Sequence, residues 1–308
     1  MTTLYYSRAR ERALQVIDVP RAGAWVHAMA PDADALDQLA RTYKLDRDNL
    51  EDAIDIYEAP RIEVDGDVVY LYTRYCYPDG KEIATEPLLV VYTSDYVISI
   101  ARIQSTILDR LTNDELDFVT TQRTKLLLQI LSEINRSYAL QMRKVARRLL
   151  QLRGRMRRSR LTTPEFLGLI ELEEDLNEFL SALQPQAQLV TSLLNGKYLR
   201  LYEQDRDIIE DIEHSTSELI TQVQGRLRTL VNMRQAYDAI ATTNLNNTFK
   251  RLTSIAIFLS IPTVVGGLYG MNLDLPLQHM HYAFVFVLAL IAGLVAGAVW
   301  FFGRKKWL

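Results

Sequence analysis

Two stretches near the C-terminus constrain this chain more than anything else in it. Between Arg251 and Arg304 the only charged residue is Asp274, which leaves residues 252–273 and 275–303 as uncharged runs. A bilayer core of about 30 Å takes roughly 20 helical residues at 1.5 Å each, and both runs are long enough. The chain therefore reads as a two-span membrane protein with a large soluble head. Its averages conceal this: 24% charged, 48% hydrophobic and a net charge of -3 over 308 residues would also suit a soluble protein.

Charge placement sets the expected orientation. Lys250 and Arg251 precede the first span and Arg304, Lys305 and Lys306 close the second, while the connecting loop from 272 to 281 carries no Lys or Arg. By the positive-inside tendency both termini are expected on the cytoplasmic side of a cell (inner) membrane. The first residues lack the apolar core of a signal peptide, so the head is expected to stay on the side of synthesis. A single cysteine, Cys76, excludes a disulfide framework and a four-thiolate metal site.

Residues 1–120 read as a cytosolic α/β domain. Apolar or alternating runs at 14–19, 24–28, 61–64, 68–76, 88–92 and 96–101 predict strands, with Asp65-Gly66 and Ser94-Asp95 at turn positions. Segments 32–44 and 46–56 have helical period and open on Asp32 and Asp46, suited to a helix N-terminus. Residues 121–250 read as a helical region, broken at Thr162-Thr163-Pro164 and near Asn195-Gly196. Its last helix starts near Asp205 and meets no proline until Pro262, so it runs on into the membrane domain, residues 251–308.

That last helix has two seams. One is apolar, Ile209, Ile212, Leu219, Val223, Leu230, Met233, Tyr237 and Ile240, interrupted by Thr216 and Arg226. The other is polar and small: Asp211, His214, Glu218, Thr221, Gly225, Arg228, Asn232, Gln235, Ala239, Thr242 and Asn246. In the cytosol the second seam is equally a solvated face. Continued into the membrane it becomes Phe249, Thr253, Ala256, Ser260, Thr263, Gly267 and Gly270, which lipid cannot solvate. Such a stripe marks either close helix packing or the wall of a water-filled path. In the second span Ala289, Gly293 and Gly297 form a small-residue packing face.

Where the first span reaches the outer surface stand Gly270, Met271 and Asn272. This triplet arises by chance on the order of once per ten thousand positions. A glycine stop followed by a turn-forming Asn explains two of the residues but not the triplet. With Asn246, Lys250-x-Leu252-Thr253, Pro262-Thr263 and the C-terminal Lys305-Lys306-Trp307-Leu308, the sequence resembles the CorA-type magnesium transporter family. The run from Leu50 to Tyr70 resembles the family's soluble domain more loosely.

The resemblance implies an α+β membrane protein. Its parts would be an α/β/α cytosolic domain, a stalk helix continuous with the first of two spans, and a homopentamer among membrane lipids. It implies channel-like conduction of divalent cations, Mg²⁺ first and Co²⁺ or Ni²⁺ besides, driven by the membrane potential. An Asn272 ring would bind the hydrated ion, with Gly270 allowing a close or left-handed backbone and Met271 packing behind. Asn246, Thr253, Ser260 and Thr263 would offer oxygens to the ion's water shell, with Ala256 and Gly267 on the same wall. Phe249 and Leu252 would be apolar constrictions, and Lys305 and Lys306 a cytosolic basic ring. Regulatory Mg²⁺ in the family binds cytosolic carboxylates, whose counterparts by position are Asp211 and Asp79.

The outer loop departs from the family pattern. It carries Asp274 as its one acid, and His279 and His281, spaced by one residue, leave Zn²⁺ open as cargo. The arginine-rich run from Arg143 to Arg160 precedes a helix bearing Glu171, Glu173, Glu174, Asp175 and Glu178. It reads as one face of an antiparallel, charge-complementary helix pair rather than a nucleic-acid surface, with anionic lipid the next option. No catalytic set is present, so no enzyme is expected: His27 and His214 stand alone and Cys76 lies in a strand. A membrane-anchored sensor or scaffold is the rival from another class.

Overall fold

The computed structural model describes every residue except 1, 10, 80, 81, 114, 117, 158–162, 272–280, 306 and 308. The described residues form two compact units, Met1–Asn232 and Met233–Leu308. In the first, seven strands make one mixed sheet: β1 (Thr2–Arg8), β2 (Glu11–Ile17), β3 (Trp25–Met29), β4 (Arg61–Asp65), β5 (Val68–Asp79), β6 (Glu82–Tyr92) and β7 (Val97–Ala101). Their order is β2-β1-β3-β7-β6-β5-β4. Only β3 and β7 run parallel, Trp25 opposite Val97 and Met29 opposite Ala101. The helices are α1 (Ala33–Tyr43), α2 (Arg47–Asp52), α3 (Asp109–Thr112), α4 (Arg123–Arg157), α5 (Thr163–Leu194), α6 (Glu203–Tyr269) and α7 (Ala283–Arg304).

Period-two alternation sends each strand's side chains to two different layers. Val26, Ala28, Tyr70, Tyr72, Leu89, Val91, Ile98 and Ile100 pack with Leu36, Leu39 and Ala40 of α1 and Leu50 of α2 in one core. Trp25, His27, Thr73, Tyr75 and Ser99 fall at the alternate positions and are also buried. On that side Thr73 bonds α5 through Gln186 and the Cys76 amide bonds α4 through Ser137. The result is helix, sheet, helix, as the α/β/α expectation had it.

Caps set the helix starts. Asp32 Oδ1 accepts the Ala35 amide at 2.9 Å, and Asp46 Oδ1 accepts the Asp48 amide at 2.8 Å. The sequence predicts a helix over 46–56, but α2 stops at Asp52. Beyond it the Ile54 and Asp55 amides bond back only three residues, to Glu51 and Asp52, and Asp55 Oδ1 takes the Tyr57 amide. Local aspartate bonding thus competes with the helical ladder before Pro60. Strand β1 is absent from the sequence reading. It is stitched to the lead-in of α4, where Ser7 and Thr120 exchange amide-to-hydroxyl bonds of 2.9 and 3.0 Å.

The charged helices pair as expected. Arg148 on α4 reaches Glu171 on α5 at 3.0 Å, and Arg155 is paired with Glu165. The residue numbers rise on one helix as they fall on the other, which makes the pair antiparallel.

Candidate ion pathway

The site is built on α6, an unbroken helix of 67 residues. Its apolar seam is buried at Ile209, Ile212, Leu219, Val223, Leu230 and Met233. Thr216, which interrupts that seam in sequence, is also fully buried, and its hydroxyl donates to the Ile212 carbonyl at 2.7 Å. The polar seam from Asp211 to Asn246 is exposed throughout.

In the second unit, α6 and α7 are each long and apolar enough to cross a membrane. They meet edge to face at Phe258 and Phe302, 5.8 Å between ring centres, and Phe302 in turn lies 5.4 Å from Trp307. Asn246, Phe249, Leu252, Thr253, Ala256, Ser260, Thr263 and Gly267 are all exposed. The stripe is therefore left uncovered by α7.

The hydroxyls on this stripe have a definite polarity. Ser260 Oγ donates to the Ile257 carbonyl at 2.9 Å, and Thr263 Oγ1 donates to the Leu259 carbonyl at 3.0 Å. With its one proton turned back to the helix, each oxygen presents lone pairs outward, as an acceptor. Pro262 has no N–H, so the helical bond it would give the Phe258 carbonyl is missing from the middle of this stretch.

At the C-terminal end of α6 the Gly270 amide still donates to the Gly266 carbonyl at 3.0 Å, and Met271 to Leu268 at 3.3 Å. Gly270 is not left-handed; the close-approach alternative remains, since a Cβ there would sit 3.3 Å from the Gly266 oxygen. Asn272, Asp274, His279 and Lys306 lie outside the described residues. Lys305 follows α7 with its ammonium 5.9 Å from the Phe301 ring centre.

Asp211 is exposed on α6, and Asp79 ends β5. Among the described residues no group of three His, Cys, Asp or Glu side chains could hold a metal ion.

Sequence reasoning missed a chain of buried polar groups behind α6. Thr73 Oγ1 donates to Gln186 Oε1 at 3.2 Å, and Gln186 Nε2 donates to Asn135 Oδ1 at 3.1 Å. Asn135 Nδ2 reaches Ser215 Oγ and Thr216 Oγ1, each at 2.8 Å, and the Ile212 carbonyl at 3.1 Å. The one hint in sequence was Thr216, a hydroxyl in an apolar seam.

A family model described as CorA-like Mg2+ transporter protein matches residues 21–305, nearly the whole chain. The chain belongs to that family. The CorA family comprises ion transporters, not enzymes, and this chain is a divalent-cation transporter of that family. The cobalt/magnesium transport protein CorA of Methanocaldococcus jannaschii is 25% identical over 297 residues, covering 92% of this chain and 91% of the relative. The complete structure of the CorA magnesium transporter from the same organism shares its fold, with a TM-score of 0.87 at 21% identity, over 100% of this chain and 99% of that one. The cytoplasmic domain of ZntB from Vibrio parahaemolyticus shares the fold of the head, with a TM-score of 0.64 at 12% identity, over 78% of this chain and 98% of that one.

Proposed function

We propose that this CorA-family chain conducts Mg²⁺ inward, with Co²⁺ and Ni²⁺ as further cargo, entering at Asn272 and passing along the α6 stripe to Asn246. The observation that carries the reading is the exposed stripe of Ser260 and Thr263, whose protons are spent on their own helix. The waters around a cation point their hydrogens outward, so the complementary wall is one of neutral acceptors. Mg²⁺ gives up its waters reluctantly, and a wall that accepts from the whole hydrated ion avoids that cost. Neutral oxygens also hold the ion weakly enough to release it.

A single stripe needs partners to enclose a path. Several identical copies around one axis, five in the arrangement the resemblance implies, would turn these stripes inward. Asn272 carboxamides would then form the outer ring, and Gly270 and Met271 its support. Phe249, within one turn of Asn246, and Leu252, within two, are exposed and would narrow the cytoplasmic end and block it by dewetting. The membrane potential supplies the drive, about 4.6 kcal/mol per 100 mV for a divalent ion entering a negative interior. Asp211 and Asp79 of neighbouring copies would sense internal Mg²⁺. Lys305 and Lys306 would ring the cytoplasmic side, where both termini lie.

Ion flux into proteoliposomes at fixed membrane potential tests this. Mg²⁺ uptake should be abolished by Asn272→Ala and reduced by a Ser260→Ala, Thr263→Val pair, with expression and assembly unchanged. Uptake unaffected by both sets, or a purified particle of one subunit, would refute the pathway. The same assay with Co²⁺, Ni²⁺ and Zn²⁺ ranks the cargo.

A further inference from the structure

We infer that Asn135 is a positioning residue that fixes the axial register of α6 within the soluble unit. The apolar seam cannot do so alone. Its members follow a seven-residue repeat, so a slide of two turns sets most of them against apolar positions again. Beside Asn135 the interface opens into a surface cleft of about 550 Å³, lined by Ala139 and Arg143 on α4 and by Leu219 and Gln222 on α6.

The polar chain does discriminate. Asn135 is 4% exposed and Gln186 fully buried, so each must find its partners inside the protein. Two Nδ2 hydrogens of Asn135 are shared among Ser215 Oγ, Thr216 Oγ1 and the Ile212 carbonyl. A slip of seven residues puts Ile209 or Val223 in the place of Thr216, and Ile208 or Gln222 in that of Ser215. The Asn135 amide then loses both hydroxyl partners, and Gln186 and Thr73, linked behind it, lose their fixed geometry. A buried asparagine at one seam position is a known device for setting register between helices.

The α6 hydroxyls do not depend on this amide. Ser215 Oγ and Thr216 Oγ1 already donate to the Ile212 carbonyl, at 3.0 and 2.7 Å. Replacing the α4, α5 and β5 members together, Asn135→Leu with Gln186→Leu and Thr73→Val, therefore removes the network without stranding a polar group. That variant is expected to fold and assemble.

Register is read by electron-spin distances in the full-length chain, spin-diluted with unlabelled chain, with nitroxides at Ser94→Cys in the turn between β6 and β7 and at Gln224→Cys on α6. The parent is expected to give one distance. The triple variant is expected to add a population displaced by about 10 Å, two helical turns. Thr216→Val should broaden the distribution and Thr216→Ser should restore it, which a purely structural role for this position would not require. A single parental distance in the triple variant overturns the assignment. Cation uptake by the same preparations keeps the two claims apart. A displaced population in the variant, alongside a parent that takes up no Mg²⁺, would support the register assignment while sinking the pathway proposed above.

Discussion

Lowering the pH from 7.5 to 5.0 should loosen the centre of the sheet through one imidazole. His27 on β3 is 3% exposed. Its Nδ1 lies 2.8 Å from Ser99 Oγ, which also accepts the Trp25 indole N–H at 2.9 Å. A neutral His27 can take the Ser99 proton at Nδ1; a protonated ring would put a second hydrogen there. Burial pushes the His27 pKa down from 6.5 to about 4. Between those values the unfolded chain binds more protons than the folded one, so stability rises with pH across the window and falls as the solution is acidified. The stabilisation is complete above about 6.5 and lost on the way down through about 4. At 1.36 kcal/mol per unit the full effect is about 3.4 kcal/mol, of which about 2 kcal/mol is lost between pH 7.5 and 5.0. Hydrogen exchange of the β3 and β7 amides, corrected for intrinsic rates, should show protection falling roughly 30-fold more in the wild type than in His27→Gln. Parallel loss of protection in both proteins would refute the burial argument.

Two further substitutions and one double-mutant cycle test the same unit. Ser99→Ala leaves the Trp25 N–H and His27 Nδ1 buried without the oxygen they share, and thermal unfolding should show a loss of about 1–3 kcal/mol. Gly23 has φ +86°, and a Cβ there would stand 2.8 Å from Thr121 Cγ2. Gly23→Ala should therefore cost about 1–3 kcal/mol, measurable as a lower urea midpoint. The Arg148–Glu171 pair joins side chains 39% and 53% exposed. A double-mutant cycle should return less than about 1 kcal/mol, and less still in high salt.

What could be read from sequence divides along physical lines. The spans were legible because lipid tolerates no charge over some 20 residues, and 252–273 and 275–303 obey that rule. The central strands were legible because alternate residues face different cores, as at Tyr70 and Tyr72 against Leu71 and Thr73. Strand β1 was not, because Thr2–Arg8 is half-buried at most positions and gains its place from hydrogen bonds to Thr120, far along the chain. The early end of α2 was hidden for a local reason: side chains of aspartate can serve a turn as well as a helix. On α6 the seam and the stripe were visible as periodicities. The amide chain through Gln186 and Asn135 was not, since its members come from three helices and a strand and share no spacing.

The surface of α6 just before the first span argues for an assembly on its own. Residues 241–253 are exposed on every side, Leu245, Phe249 and Leu252 among them, each more than half exposed. A helix in water draws most of its stability from packing one apolar face, and this stretch has no such partner among the described residues. Leu245, Phe249 and Leu252 follow steps of four and three, the pattern by which like helices bundle. In the proposed assembly the same residues that bring the copies together at this level would close the path to water. Ser260 and Thr263, two or more turns further on, would keep it wet. Closure and conduction would then belong to different levels of one helix. Replacing Phe249 by a small polar residue should raise basal leak without touching the choice of ion, which uptake assays at high internal Mg²⁺ would detect. An unchanged leak would place the constriction elsewhere.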